Sequence, residues 1–167
     1  HRMNLAHSIK QEKYFMMKFN ILAPIVKTLP KKRSWIDART NNEYHEIRLQ
    51  SLTDKMFSSL YGQWYSNGKK ILKLENLQKI DALGMAVIFF DDGYFLRGGG
   101  YISMNNFDNE SIKNFQSFLL SKFGLETKIH KGGSLYFQRK VFPKLKSIIR
   151  PFATPDVLYK LGELLES

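Results

Sequence analysis

The apolar positions of this 167-residue chain change period several times, and each change marks an element. Ser8-Ile9-Lys10-Gln11 has the form of a capping box, and Tyr14, Met17, Phe19, Ile21 and Leu22 follow among helix formers. That predicts a helix over residues 9–22, closed by Pro24 and Pro30. Lys31-Lys32-Arg33 then lead into Trp35-Ile36-Asp37-Ala38-Arg39 and, across Thr40-Asn41-Asn42, into Tyr44-His45-Glu46-Ile47-Arg48-Leu49, a hairpin pattern with a basic face. A second helix is expected over residues 53–64, with Met56, Phe57 and Leu60 at core spacing, stopping at Ser66-Asn67-Gly68.

Residues 82–90 are apolar all round, as in a buried helix, and the run ends in Asp91-Asp92-Gly93. Two acids at the C-terminal end of a helix face the negative end of its dipole, at a cost of a few tenths to about 1 kcal/mol each unless a cation or a function compensates. That placement singles the pair out. Residues 101–105 read as a strand, and Asp108 as the cap of a helix with Ile112, Phe115, Leu119 and Phe123 on one face and Gly124 at its end. Residues 127–130 and 135–139 flank a turn at Lys131-Gly132-Gly133. A helix over 142–149 precedes Pro151, Pro155 and a tail that begins Val157-Leu158-Tyr159-Lys160-Leu161.

Charge narrows the class of partner. Twenty-six Lys and Arg against 15 Asp and Glu give a net charge of +11 and a pI near 9.8, which calls for an anionic ligand such as nucleic acid. The chain has no cysteine, which excludes disulfides, thiolate metal sites and a cysteine nucleophile. No apolar run approaches the roughly 18 residues that span a bilayer. The start His1-Arg2-Met3-Asn4 lacks the apolar core of a signal peptide, so a soluble intracellular protein without a membrane partner is expected. His7, His45 and His130 have no zinc-ligand spacing. Gly98-Gly99-Gly100 is not followed by a helix with a Lys-Ser or Lys-Thr pair, so it reads as a flexible connector rather than a phosphate-cradling loop.

Laid side by side, two halves repeat the order strand, helix, hairpin, short helix and lysine-bearing turn at an offset of roughly 90 to 100 residues. Met3-Asn4-Leu5 corresponds to Ile102-Ser103-Met104, and Gly68-Lys69-Lys70-Ile71 to Tyr159-Lys160-Leu161.

Met85-Ala86-Val87-Ile88-Phe89-Phe90-Asp91-Asp92-Gly93 resembles the LAGLIDADG signature in a divergent form ending in DDG. The segments Tyr65-Ser66-Asn67-Gly68-Lys69-Lys70-Ile71, Ser121-Lys122-Phe123-Gly124-Leu125 and Ile149-Arg150-Pro151-Phe152 resemble, in order, parts of single-chain, double-motif homing endonucleases of mobile introns. The resemblance implies an α+β fold of two pseudo-symmetric αββαββα halves, 1–73 and 74–167, whose antiparallel sheets form a DNA-binding saddle. The first half lacks its initial helix, for the first signature helix would lie upstream of His1. One of the family's two acids is therefore expected here. It maps to Asp92, with Asp91 the weaker candidate for holding Mg²⁺ or another hard divalent cation. The resemblance also assigns catalytic roles to Lys160 and Lys70, with Lys69 as the alternative to Lys70, and puts Asn105 near the nucleic acid. Residues Arg33, Trp35, Arg39 and Arg48 in one hairpin are candidate groove readers. So are Lys128, His130, Tyr136, Gln138 and Arg139 in the other, where alternation puts Lys128 and His130 on one side.

The expected function is site-specific cleavage of double-stranded DNA by a monomer, in an organelle such as the mitochondrion by family resemblance. Two alternatives stay open. One is a catalytically impaired descendant that binds structured RNA, as an intron maturase or part of a ribonucleoprotein, and the other is a DNA-binding regulator on the same fold.

Overall fold

Ser8 opens the first helical segment, but its hydroxyl bonds one residue short of the Gln11 N–H that the expected capping box uses. In the computed structural model of the chain, which describes residues 1–130 and 133–163, its hydroxyl accepts from the backbone N–H of Lys10 at 3.4 Å. Strand β1 (Asn4–Ser8) passes through a short 3-10 turn into α1 (Glu12–Val26). The helix continues past Pro24, where the sequence predicted its end. A proline in the last turn forfeits about one intrahelical hydrogen bond, whereas continuing buries Val26 completely beside Phe15, Ile47 and Leu49. Lys27, at φ 56°, then terminates it.

Strand β2 (Lys31–Asp37) begins at the basic run rather than at Trp35, and β3 (Asn42–Gln50) returns antiparallel to it. The sheet order is β1-β3-β2. Register sorts the faces: Ile47 and Leu49 point into the core under α1, while the pairs Lys31 with Arg48, Arg33 with Glu46 and Trp35 with Tyr44 share the opposite face. In α2 (Lys55–Trp64) the expected apolar stripe narrows to Phe57, since Met56 and Leu60 are 38% and 42% exposed. Met56 lies about 100° round the helix from Phe57, so it turns outward when Phe57 is the anchor.

Among the described residues, the chain divides into one compact unit of 1–61 with 154–157 and another that runs from 62 to 153 and resumes over 158–163. In the second, β4 (Tyr65–Ser66) and β5 (Lys69–Lys70) turn at Asn67 and Gly68, both with positive φ. Helix α3 (Leu74–Leu77) follows, then α4 (Ala82–Asp92), where the Asp81 carboxylate accepts from the N–H of Gly84 at 2.9 Å. Next come β6 (Gly93–Leu96), β7 (Gly99–Ser103), α5 (Asn109–Phe123), β8 (Lys128–His130), β9 (Ser134–Phe137) and α6 (Phe142–Ile149). The four strands form an antiparallel sheet of order β6-β7-β9-β8. The signals read for α5 hold: Asp108 accepts from Ser111 N–H at 2.7 Å, and Gly124 ends the helix at φ 61°. Met85, Ala86, Phe89 and Phe90 bury α4, with Phe89 against Phe137 and Phe142 at centroid distances of 6.5 and 6.0 Å.

The glycine run is not a connector. Arg97 and Gly98, at φ 50° and 84°, make a two-residue hairpin turn of the kind whose twist suits antiparallel strands, and Gly99 and Gly100 belong to β7. A Cβ on Gly99 would stand 2.5 Å from the Tyr136 ring, and one on Gly100 would stand 2.6 Å from the ring of Phe142. Close packing, not flexibility, requires them. Of the expected turn at Lys131-Gly132-Gly133, the first two residues lie outside those described. No helix among the described residues is long and apolar enough to cross a membrane.

Candidate active site and nucleic-acid interface

Helix α4 changes into strand β6 without a loop, and Gly93 makes that possible. Its N–H bonds back to the Phe89 carbonyl, and a Cβ there would lie 2.5 Å from that oxygen and 2.7 Å from the Phe89 ring. Asp91 and Asp92 are therefore held, exposed, at the helix end. The dipole penalty seen in the sequence is answered by Lys160. From the 3-10 segment Pro155–Leu161, its Nζ donates to the carbonyls of Phe90 at 2.7 Å and Asp91 at 3.1 Å. A cation on the last carbonyls of a helix is worth typically 0.3–1 kcal/mol and up to about 2 when partly buried.

Asp92 also lines an apolar cavity of about 240 Å³ with Ile88, Ile102, Met104, Phe107 and Phe115 among its walls. The Lys70 ammonium stands 5.9 Å from the centroid of the Phe107 ring, one of the residues that line this cavity. Lys69 instead acts on Asp108, whose carboxyl is held below its usual range first by the Ser111 N–H and least by that lysine. Among the described residues, no three His, Asp or Glu side chains converge as a metal site. The two carboxylates are nevertheless hard oxygen donors. Mg²⁺ commonly takes one or two such ligands and completes its shell with water and substrate phosphate, so the donor set fits.

The first sheet gathers Arg33, Trp35 and Arg48 on its open face. Trp35 stacks on Tyr44 at 5.8 Å, and Lys27, Lys31, Arg33 and Arg48 line one concavity of about 620 Å³. Arg39 is not grouped with them: at the hairpin tip it pairs with Asp37 at 3.2 Å and holds that carboxyl below its usual range. On the second sheet, register puts Lys128 opposite Tyr136 and His130 opposite Ser134, all on the open face. Gln138 lies beyond the end of β9. Arg139 donates from Nε to the Arg97 carbonyl at 2.7 Å and packs beside Gly98, fastening the β6-β7 turn. Asn105 follows β7, with its side chain beside Gly133. Two residues of this face escaped the sequence reading. Tyr94 and Tyr101 stand in line with Tyr136. Tyr101 lies in the expected strand over 101–105 without being picked as a face residue, and Tyr94 is missed because reading the glycines as a connector obscures the strand Gly93-Tyr94-Phe95-Leu96.

Residues 1–145 match the LAGLIDADG DNA endonuclease family. The chain belongs to that family. The homing endonuclease I-WcaI bound to its DNA recognition sequence is structurally similar, with a TM-score of 0.83 and 21% identity, over 99% of this chain and 76% of that one. At that identity the likeness establishes the fold. The α+β architecture is as the resemblance implied, and α4-β6-β7-α5-β8-β9-α6 runs in the LAGLIDADG order αββαββα. Two relatives carry further names. The cytochrome b mRNA maturase bI2 of Debaryomyces hansenii is 29% identical over 124 residues, 71% of this chain and 47% of its own length. The intron-encoded endonuclease ai4 of Dictyostelium discoideum is 28% identical over 126 residues, 72% of this chain and 79% of its own. The chain thus spans about half the length of the maturase it matches.

Proposed function

We propose that this LAGLIDADG chain is part of a site-specific DNA endonuclease of the homing type that hydrolyses phosphodiesters in duplex DNA. The observation that carries the reading is the acid pair at the end of α4, held there by Gly93 and answered by the Lys160 ammonium. A divalent cation such as Mg²⁺, when bound, would supply a water of lowered pKa and polarise the phosphate. Asp92 would hold it, with Asp91 as the second donor. Lys160 offsets the negative charge that the helix end concentrates, and Lys70 offers a further positive charge toward the DNA. The cationic face of the first sheet and the open face of the second supply phosphate and base contacts.

The reading includes two halves, 1–73 and 74–167. The shared order of β1-β3-β2 and β7-β9-β8 supports it. An organellar setting and a monomeric or ribonucleoprotein-bound state belong to the same proposal, and intron-encoded and maturase relatives favour the former.

The test is Asp92→Asn, assayed on plasmids carrying duplexes selected for binding. Cleavage is expected to be abolished while duplex affinity stays within about threefold, since the carboxylate serves the cation rather than the groove. Cutting by this variant would refute the assignment. The maturase relative favours a second reading, in which structured RNA outcompetes duplex DNA and binding needs no metal.

A further inference from the structure

The hairpin β4-β5 is too short to hold itself. It pairs Tyr65 with Lys70 and Ser66 with Lys69, and an isolated two-stranded hairpin is marginal in water even at greater length. Side chains outside it fasten both of its ends. Where the chain enters, the Asn76 amide donates to the Gln63 carbonyl at 2.8 Å. Where it leaves, the Ser111 hydroxyl accepts from the Leu72 N–H at 3.0 Å, and the Asn114 amide donates to the Leu72 carbonyl at 2.8 Å. Ser111 and Asn114 stand about one turn apart on α5, so one helix face grips both polar groups of a single residue. Asn76 and Ser111 are buried, which ties the hairpin to one register. A slip by one residue would leave the Ser111 hydroxyl without its partner inside the protein, at a cost larger than the net contribution of the bond.

We propose that Ser111 and Asn114 are positioning residues: their grip on Leu72 holds Lys70, two residues earlier, at the wall of the cavity that Asp92 lines. The inference rests on the reading of the acid pair as a phosphodiester-hydrolysing site toward which Lys70 offers positive charge. Leu72, Phe107 and Asp92 all line that cavity, and the Lys70 ammonium stands over the Phe107 ring. A lysine head sits on a flexible four-carbon stem, so its placement depends on how firmly its backbone is held. Ser111 is itself fixed. Its N–H donates to the Asp108 carboxylate at 2.7 Å, and that carboxyl is held below its usual range first by this N–H and next by the Ser111 side chain. The hydroxyl proton thus serves Asp108 and leaves the oxygen lone pairs to the Leu72 N–H. Alternation along β5 separates the two lysines, Lys69 acting on Asp108 and Lys70 lying over Phe107.

Two measurements on the full chain test the grip. In protein labelled with carbon-13 at the lysine ε-carbons, the Lys70 signal, identified by its loss in Lys70→Arg, is expected to be displaced by the Phe107 ring. Phe107→Leu should return it to the range of exposed lysines. Ser111→Ala with Asn114→Ala should move it at least halfway to that range, while Lys144, which donates to the Gly124 carbonyl, keeps its signal. On plasmids carrying duplexes selected for binding, the same double variant is expected to cut about 10- to 100-fold more slowly in a single turnover, with duplex affinity within about threefold. Lys70→Met should slow cutting at least as much, and adding it to the double variant should slow it no further, because both changes remove one function. Additive losses overturn the proposal, as does a Lys70 signal that stays in place. If the double variant melts early, Asn114→Ala alone is expected to move the signal part of the way, and an unmoved signal there is equally decisive against it. A parent that binds duplexes without cutting them overturns the endonuclease reading instead, and the Lys70 signal still decides whether Ser111 and Asn114 place that side chain.

Discussion

Two sheets of the same strand order, β1-β3-β2 and β7-β9-β8, furnish their open faces with different chemistry. The first presents Lys31, Arg33 and Arg48 beside the Trp35-Tyr44 stack, and the second presents three phenols with Lys128 and His130. Cations act over distance and through counterion release, while phenols act at contact and only in the right geometry. The two open faces therefore differ in the kind of contact that each can make. The back faces differ too. The first sheet packs on α1 through Ile47 and Leu49, whereas the second lies so close to Phe142 that Gly100 has no room for a Cβ.

The largest effect should come from the cationic face. Lys31→Ala, Arg33→Ala and Arg48→Ala together are expected to weaken binding to any duplex by about 100-fold or more at low salt. Each lost phosphate contact should also flatten the log–log salt slope by about 0.9. Anisotropy titrations over a salt series would measure both, and an unchanged slope would break the contrast between the sheets.

Packing gives the next. Gly100→Ala should cost about 1–3 kcal/mol by overpacking against Phe142, while Ala6→Ser on the exposed side of β1 should stay within about 0.5 kcal/mol. Denaturant unfolding of the two variants compares the sheets directly. Lys160→Met should then lower stability by about 1 kcal/mol, because the α4 carbonyls lose their cation, and added salt should shrink the difference.

Arg39→Ala should have the smallest effect. The Asp37 carboxyl, held low chiefly by the Arg39 side chain, should titrate higher in the variant by NMR. A depressed carboxyl pKa stabilises the fold above the ordinary carboxylate range and loses that contribution as pH falls through the folded value. Any stability difference between parent and variant should therefore vanish in acid. A titration identical in the two proteins would show that the pair does not form in solution.

Much of the secondary structure was legible because its determinants are local. The Asp108 cap, the Gly124 stop, the α6 bounds and the all-apolar α4 each depend on residues within a few positions of one another. Pro24 misled because its local penalty was outweighed by the burial of Val26, a gain settled by distant Ile47 and Leu49. The exposed Met56 and Leu60 misled for the converse reason, since helical spacing marks a face without saying whether anything covers it.

By itself, the sequence determined the acid pair at a helix end and the excess of positive charge, both written in short-range pattern and composition, and it carried the fold class through the resemblance of its signature segments to a known family. Only the tertiary structure decided that Lys160 meets the α4 carbonyls across 70 residues, that Gly99 and Gly100 are required by contact, and that Tyr94, Tyr101 and Tyr136 form one ladder. Strand register and long-range packing bring those groups together, and neither is written in the spacing of residues along the chain.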